Sequence, residues 1–178
     1  MQKTSDYPGF VRVTEALSIY SGIDKVPEKY LVDAKERGDK VHEIFTAMMN
    51  HLGVIETFPN YSGYIKSLES WIKDKEFIER PPRLFCDKYK ITGEVDGIYK
   101  NPNGLTLFDI KTSQKINKTF LLQLSAYAYL CRLLGLNITK IECVQLLKDG
   151  SPAVSFFYEE NLELFLECLK LYRYFFSK

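Results

Sequence analysis

The chain lacks most of the features that classify a protein at a glance. Its four cysteines, Cys86, Cys131, Cys143 and Cys168, form no CxxC pair, so the spacing expected of a structural zinc site is missing and reduced, buried thiols are expected. No run of about 18 apolar residues is present, which excludes a spanning helix, and Met1 to Phe10 has no basic-then-apolar secretory pattern. The expectation is an intracellular protein that does not engage a membrane. Charge of either sign is not in excess, with 24 Lys and Arg against 23 Asp and Glu, so any surface for an anionic polymer has to be local. No Gly-x-x-x-x-Gly-Lys-Ser/Thr loop occurs, and none of the chain is repetitive, low in complexity or linker-like.

What is present suits one domain over residues 1–178: 46% hydrophobic and 26% charged residues in 178, enough to bury a substantial core. Phe10 to Tyr20 is mostly apolar without a deciding periodicity and fits a short helix or an extended lead-in. Ala34, Gly38, Val41, Phe45, Met48 and Met49 form one stripe of a helix from about Tyr30 to Asn50. His42 lies in that stripe and is expected to face the core; taken alone it reads first as a hydrogen-bonded interior histidine. His51 reads as a capping or surface residue. A second helix from Tyr61 to about Phe77 carries Ile65, Leu68, Trp71 and Ile72, with Trp71 expected in the core.

Leu84 to Ile91 reads as a strand, followed by a hairpin whose turn is Asn101-Pro102-Asn103-Gly104. Counting outward from that turn sets Lys100 opposite Leu105, Asp96 opposite Asp109 and Glu94 opposite Lys111. Period-two alternation then projects Glu94, Asp96, Asp109 and Lys111 from one face and Val95, Gly97, Tyr99, Phe108 and Ile110 from the other. Opposed carboxylates about 5 Å apart repel unless one is protonated or a cation lies between them. A helix from about Thr119 to Leu134 carries Gln123 and Tyr127 four residues apart on one face. Two strands, Thr139 to Leu147 and Val154 to Tyr158, and a helix from about Asn161 to Phe176 complete the order. The fold class expected is α/β, with a single mixed sheet flanked by helices.

The residues GEVDGI, FDIKTS and QLSAY, with Gly38 and His42 upstream, resemble the motifs of the PD-(D/E)XK nuclease superfamily in its RecB-like branch. The resemblance covers about Gly38 to Tyr127 and implies a restriction-endonuclease-like core. It implies Asp96 and Asp109 as metal-binding carboxylates, His42 and the Ile110 carbonyl as further ligands, Lys111 as the catalytic lysine, and Gln123 with Tyr127 as support. Oxygen ligands suit Mg2+ or Mn2+, and an imidazole shifts the preference toward Mn2+. Glu94 reads either as a site residue or as a solvated strand residue. Some RecB-like nucleases hold an iron–sulfur cluster with one upstream cysteine and three clustered near the C-terminus; Cys131, Cys143 and Cys168 are too dispersed, and no cluster or nucleotide is expected.

The implied activity is metal-dependent hydrolysis of DNA phosphodiester bonds, as an exonuclease at DNA ends in repair, recombination or replication. The lead-in FVRVTEALS before the Gly-x-x-x-His helix resembles phage-type and mitochondrial single-strand DNA exonucleases. Two other readings stand beside it: a catalytically silent nuclease-like domain that holds single-stranded nucleic acid through Lys115, Lys118 and aromatics, and a structural protein in which Asp96, Asp109 and Lys111 are ordinary ion pairs.

Overall fold

The computed structural model describes residues 7–22, 25–49 and 58–176. The chain runs β1 (Val11–Arg12), α1 (Val13–Leu17), α2 (Glu28–Met49), α3 (Ser62–Ile72), β2 (Leu84–Cys86), β3 (Ile91–Gly93), β4 (Gly97–Asn101), β5 (Gly104–Lys111), α4 (Thr119–Leu133), β6 (Ile138–Gln145), β7 (Val154–Tyr158) and α5 (Leu162–Phe176). The α/β class with mixed sheets flanked by helices is as expected. The open choice for Phe10 to Tyr20 resolves into both options, because β1 passes directly into α1 and then a 3-10 turn at Ser18–Tyr20. His51 lies outside the described residues.

The expected single sheet is divided. Strands β4, β5, β6 and β7 form one sheet in that order, and β1, β3 and β2 form another. The predicted strand from Leu84 to Ile91 is a short hairpin, with Lys90 at a positive φ of 44° in its turn. Glu94, Val95 and Asp96 belong to neither sheet and form the bend between them. Within the larger sheet, β5 pairs antiparallel with β4 and parallel with β6, the parallel step being made by α4.

Alternation along β5 explains the layering. Phe108 and Ile110 pack with Val41, Ile44 and Phe45 of α2 and Ile65, Leu68 and Trp71 of α3. Leu107 points to the opposite core, formed with α1, α4 and α5, including Leu124, Leu130 and Phe165. The hairpin register holds from Lys100 opposite Leu105 to Gly97 opposite Phe108, then stops. Val95 therefore departs from the predicted pattern: it joins the α4-side core with Ile98 rather than the α3 side with Tyr99. A bend resets the alternation, which periodicity alone cannot detect. All four cysteines are buried and free, as expected for small apolar side chains in the interior.

Trp71 is in the core, and it also serves a buried charge. Glu142 on β6 is 1% exposed and accepts hydrogen bonds from Trp71 Nε1 at 2.8 Å, Tyr99 Oη at 2.7 Å and Ser155 Oγ. Three donors saturate a carboxylate that the interior would otherwise reject. Replacing Glu142 with alanine would strand those donors among apolar side chains, and an unfolding free energy lower by roughly 3 kcal/mol is expected. Urea titration of Glu142→Ala beside Glu142→Gln, which retains an acceptor and should lose less, checks this.

Candidate active site

Two of the charged residues singled out above, Asp109 and Lys111, lie at the C-terminal end of β5, where α4 covers the sheet. Alternation puts both on the α4 side, opposite Phe108 and Ile110. Asp109 is 3% exposed, and its Oδ2 lies 2.5 Å from Lys111 Nζ. Gln123 on α4 bridges the pair: its Nε2 donates to Asp109 Oδ1 at 2.9 Å, and its Oε1 accepts from Lys111 Nζ at 3.3 Å. The amide therefore presents its donor to the anion and its acceptor to the cation. Tyr127, one turn further along α4, has its hydroxyl 3.3 Å from Gln123 Nε2. Lys111 Nζ also sits 4.6 Å from the centre of the Phe120 ring.

Asp96 reaches the cluster from the bend between the sheets. Its Oδ2 accepts the Ile110 N–H at 2.6 Å, and its Oδ1 lies 3.4 Å from His42 Nδ1 on α2. Burial pushes the Asp96 carboxyl up to about 6, and the negative charge of Asp109 pushes in the same direction against His42, Lys111 and the Ile110 N–H. Lys111 responds oppositely: burial alone would lower it, but Asp109 and Asp96 outweigh that and hold the ammonium above its usual range. Burial, then the Asp109 charge, also raises the Tyr127 phenol, which stays neutral and accepts from Gln123.

Two glycines make the arrangement sterically feasible. A Cβ on Gly93 would lie 2.4 Å from Tyr127 Cε1, and one on Gly97 would lie 2.4 Å from Phe108 Cζ. These distances are inside van der Waals contact, so the glycines on either side of Glu94-Val95-Asp96 admit one ring from each core.

Three expectations are corrected. Glu94 does not face Lys111; it is turned outward and pairs with Arg83 at 2.8 Å and Arg80 at 3.3 Å, because the bend ends the hairpin register before it. His42 does not face the core; its side chain is 42% exposed, and it stands beside Asp96 at the border of two clefts. Lys115 and Lys118 are exposed on the loop after β5, but neither lines those clefts, and Lys118 borders a separate apolar hollow with Leu121 and Phe156. One cleft, about 420 Å³, is lined by Phe45, Met49, Phe77 and Arg80 as well as His42 and Asp96. The other, about 220 Å³, lies on the Lys111 side and includes Arg37. Sequence reasoning missed Arg37, although it immediately precedes Gly38.

The donor set suits a hard divalent cation. Two mutually repelling carboxylates are assembled beside an imidazole, and the buried Asp109 Oδ2 is in contact with the Lys111 ammonium. Among the described residues, no group of three or more His, Cys, Asp or Glu side chains is gathered closely enough to hold a metal unaided. Any such cation would need other oxygens to complete its shell, as Mg2+ does when it retains water.

No family profile and no curated protein sequence matches the chain. Solved structures do. The crystal structure of SSO0001 shares the fold with a TM-score of 0.50 at 16% identity, covering 99% of this chain and 81% of that one. An alkaline exonuclease, LHK-Exo, from Laribacter hongkongensis aligns with a TM-score of 0.51 at 12% identity, over 95% of this chain and 87% of its own. At such identities the likeness is one of fold.

Two outcomes are expected from the site geometry. Gly93→Ala should force the Tyr127 ring to move and lower stability by about 1–3 kcal/mol, read by thermal melting. The second concerns pH. Asp96 keeps its proton to about 6 when folded, against 3.8 as its ordinary value, so the folded state binds more protons between these values and stability falls as pH rises through them. Asp96→Asn removes that loss. In chelator it should melt above the wild type at pH 7.5, and the advantage should vanish at pH 4.

Proposed function

We propose that the chain is a metal-dependent deoxyribonuclease that hydrolyses phosphodiester bonds at DNA ends, an exonuclease of the RecB-like branch serving repair, recombination or replication. The observation that carries this reading is the buried cluster in which Asp96 and Asp109 converge and Gln123 locks a charged Lys111 against Asp109. Structural ion pairs normally neutralise each other with their acceptors filled. Here two carboxylates face one lysine where two clefts open to the surface. The shared fold with a protein named as an alkaline exonuclease supports the same reading.

Asp96, Asp109 and the Ile110 carbonyl, with His42, would hold Mg2+ or Mn2+. When bound, such an ion polarises a phosphodiester and lowers the pKa of water. The protein's own groups supply the rest. Lys111, held protonated beside two carboxylates, stabilises negative charge developing on phosphate oxygens in a setting partly closed to water. Gln123 and Tyr127 fix the Lys111 and Asp109 side chains from α4, so neither must reorganise during reaction. The Ile110 N–H holds Asp96 in place from the adjacent strand. His42, half-exposed at the mouth, would offer such an ion an imidazole nitrogen, a ligand that disfavours Ca2+ relative to Mn2+.

End-labelled linear and circular single-stranded DNA, incubated with Mg2+ or Mn2+, test the proposal. Linear DNA should be degraded and circles spared, with Lys111→Ala and Asp109→Asn slower by about 100-fold or more. Intact linear DNA with the wild-type protein, or undiminished cleavage by Lys111→Ala, overturns it. Tight DNA binding without cleavage would instead support the catalytically silent binding domain.

A further inference from the structure

We propose that the cleft on the Lys111 side contains a separate phosphate-binding subsite, built from Arg37 and Ser113, which holds the DNA phosphate adjacent to the one cleaved. This rests on reading the neighbouring cluster as a phosphodiester-hydrolysing site, but it arises from different atoms.

The cleft is about 220 Å³ and is lined by Arg37, Gly38, His42, Lys111, Thr112 and Ser113 among others. Arg37 projects from α2, and its Nε donates to Thr112 Oγ1 at 3.2 Å, which ties the guanidinium to the loop leaving β5. Among the described residues Arg37 has no carboxylate partner, and its two terminal amino groups have no acceptor there. A guanidinium fixed by Nε presents those two groups side by side, the geometry that engages two oxygens of one phosphate. Ser113 Oγ is buried and has no hydrogen-bond partner. An interior hydroxyl is ordinarily satisfied, so a leftover donor on a residue lining the same cleft as Arg37 points to an anion that reaches it when bound.

The loop bearing these groups is held rigid before any ligand arrives. Gln145 Nε2 donates to the carbonyls of Ser113 at 2.8 Å and Gln114 at 3.0 Å, and the Leu146 N–H donates to the Lys111 carbonyl at 2.9 Å. Gly38 points the same way. A glycine inside a helix weakens it relative to alanine, yet a Cβ at Gly38 would meet nothing within 4 Å. Packing does not require the glycine, which lines the cleft and leaves its wall without a side chain at that point.

Arg37 is tied to Thr112 and not to Asp96, Asp109 or Lys111, so it supplies a cation that binds without reacting. Loss of Arg37 should therefore weaken binding more than turnover. Fluorescence anisotropy of a short labelled single-stranded oligonucleotide, in chelator, measures binding apart from cleavage; steady-state kinetics with Mn2+ measure the rest. Arg37→Ala should raise Kd and KM about tenfold, lower the slope of log K against log salt by about one, and change kcat less than about threefold, with Arg37→Lys recovering part. Ser113→Ala should act in the same direction, more weakly. A methylphosphonate in place of the flanking phosphate should cost the wild type as much as Arg37→Ala does, with no further loss when the two are combined. Unchanged Kd and KM in Arg37→Ala, with thermal melting as wild type, or additive losses with the methylphosphonate, overturn the subsite. A wild type that cleaves nothing while Arg37→Ala still loosens binding overturns the nuclease reading and leaves the subsite standing.

Discussion

Confinement of Asp109 beneath α4 is the constraint on which the rest of the site depends. A carboxylate 3% exposed in an otherwise apolar crease is intolerable without a nearby cation and a donor, and β5 and α4 provide one each: Lys111 two residues along the strand, and Gln123 across the interface. The residues that neutralise the charge are thereby forced to the same end of the central strand. Asp96, arriving from the bend, is buried beside it, and burial first and the Asp109 charge second raise its own carboxyl to about 6.

Glu142 shows how the same physics reads when no vacancy is left. It is as deeply buried, on the opposite face of the sheet, but Trp71, Tyr99 and Ser155 all donate to it and aromatic rings close around it. That network joins α3 to the sheet and stops there. The cluster under α4 differs in having two carboxyl groups for one ammonium, and clefts leading from it to the surface on both sides of His42. Burial of charge is common to both; incomplete satisfaction beside a cleft distinguishes the one that suits chemistry.

The bend at Glu94, Val95 and Asp96 is what converts a hairpin into a site. It ends the β4–β5 ladder at Gly97 opposite Phe108, frees Asp96 to accept from the Ile110 N–H, and turns Glu94 out to Arg80 and Arg83. Gly93 and Gly97 allow it by admitting the rings of Tyr127 and Phe108 where any side chain would collide.

Beyond the motif resemblance, which grouped Asp96, Gln123 and Tyr127 with the strand charges, local pattern alone determined a good deal: the α/β class, the long helix carrying His42, the hairpin turn with Lys100 opposite Leu105, and Asp109 with Lys111 on one strand face. These follow from periodicity and residue chemistry, which act over a few positions and are written directly in the chain. Tertiary structure alone decided where the ladder stops, that the strands divide into two sheets, that Glu94 leaves the cluster while His42 stands half in solvent, and that Arg37 joins the loop after Lys111. Each of those depends on two segments far apart in sequence competing for the same space or the same hydrogen bond. Alternation along a single strand carries no record of that competition.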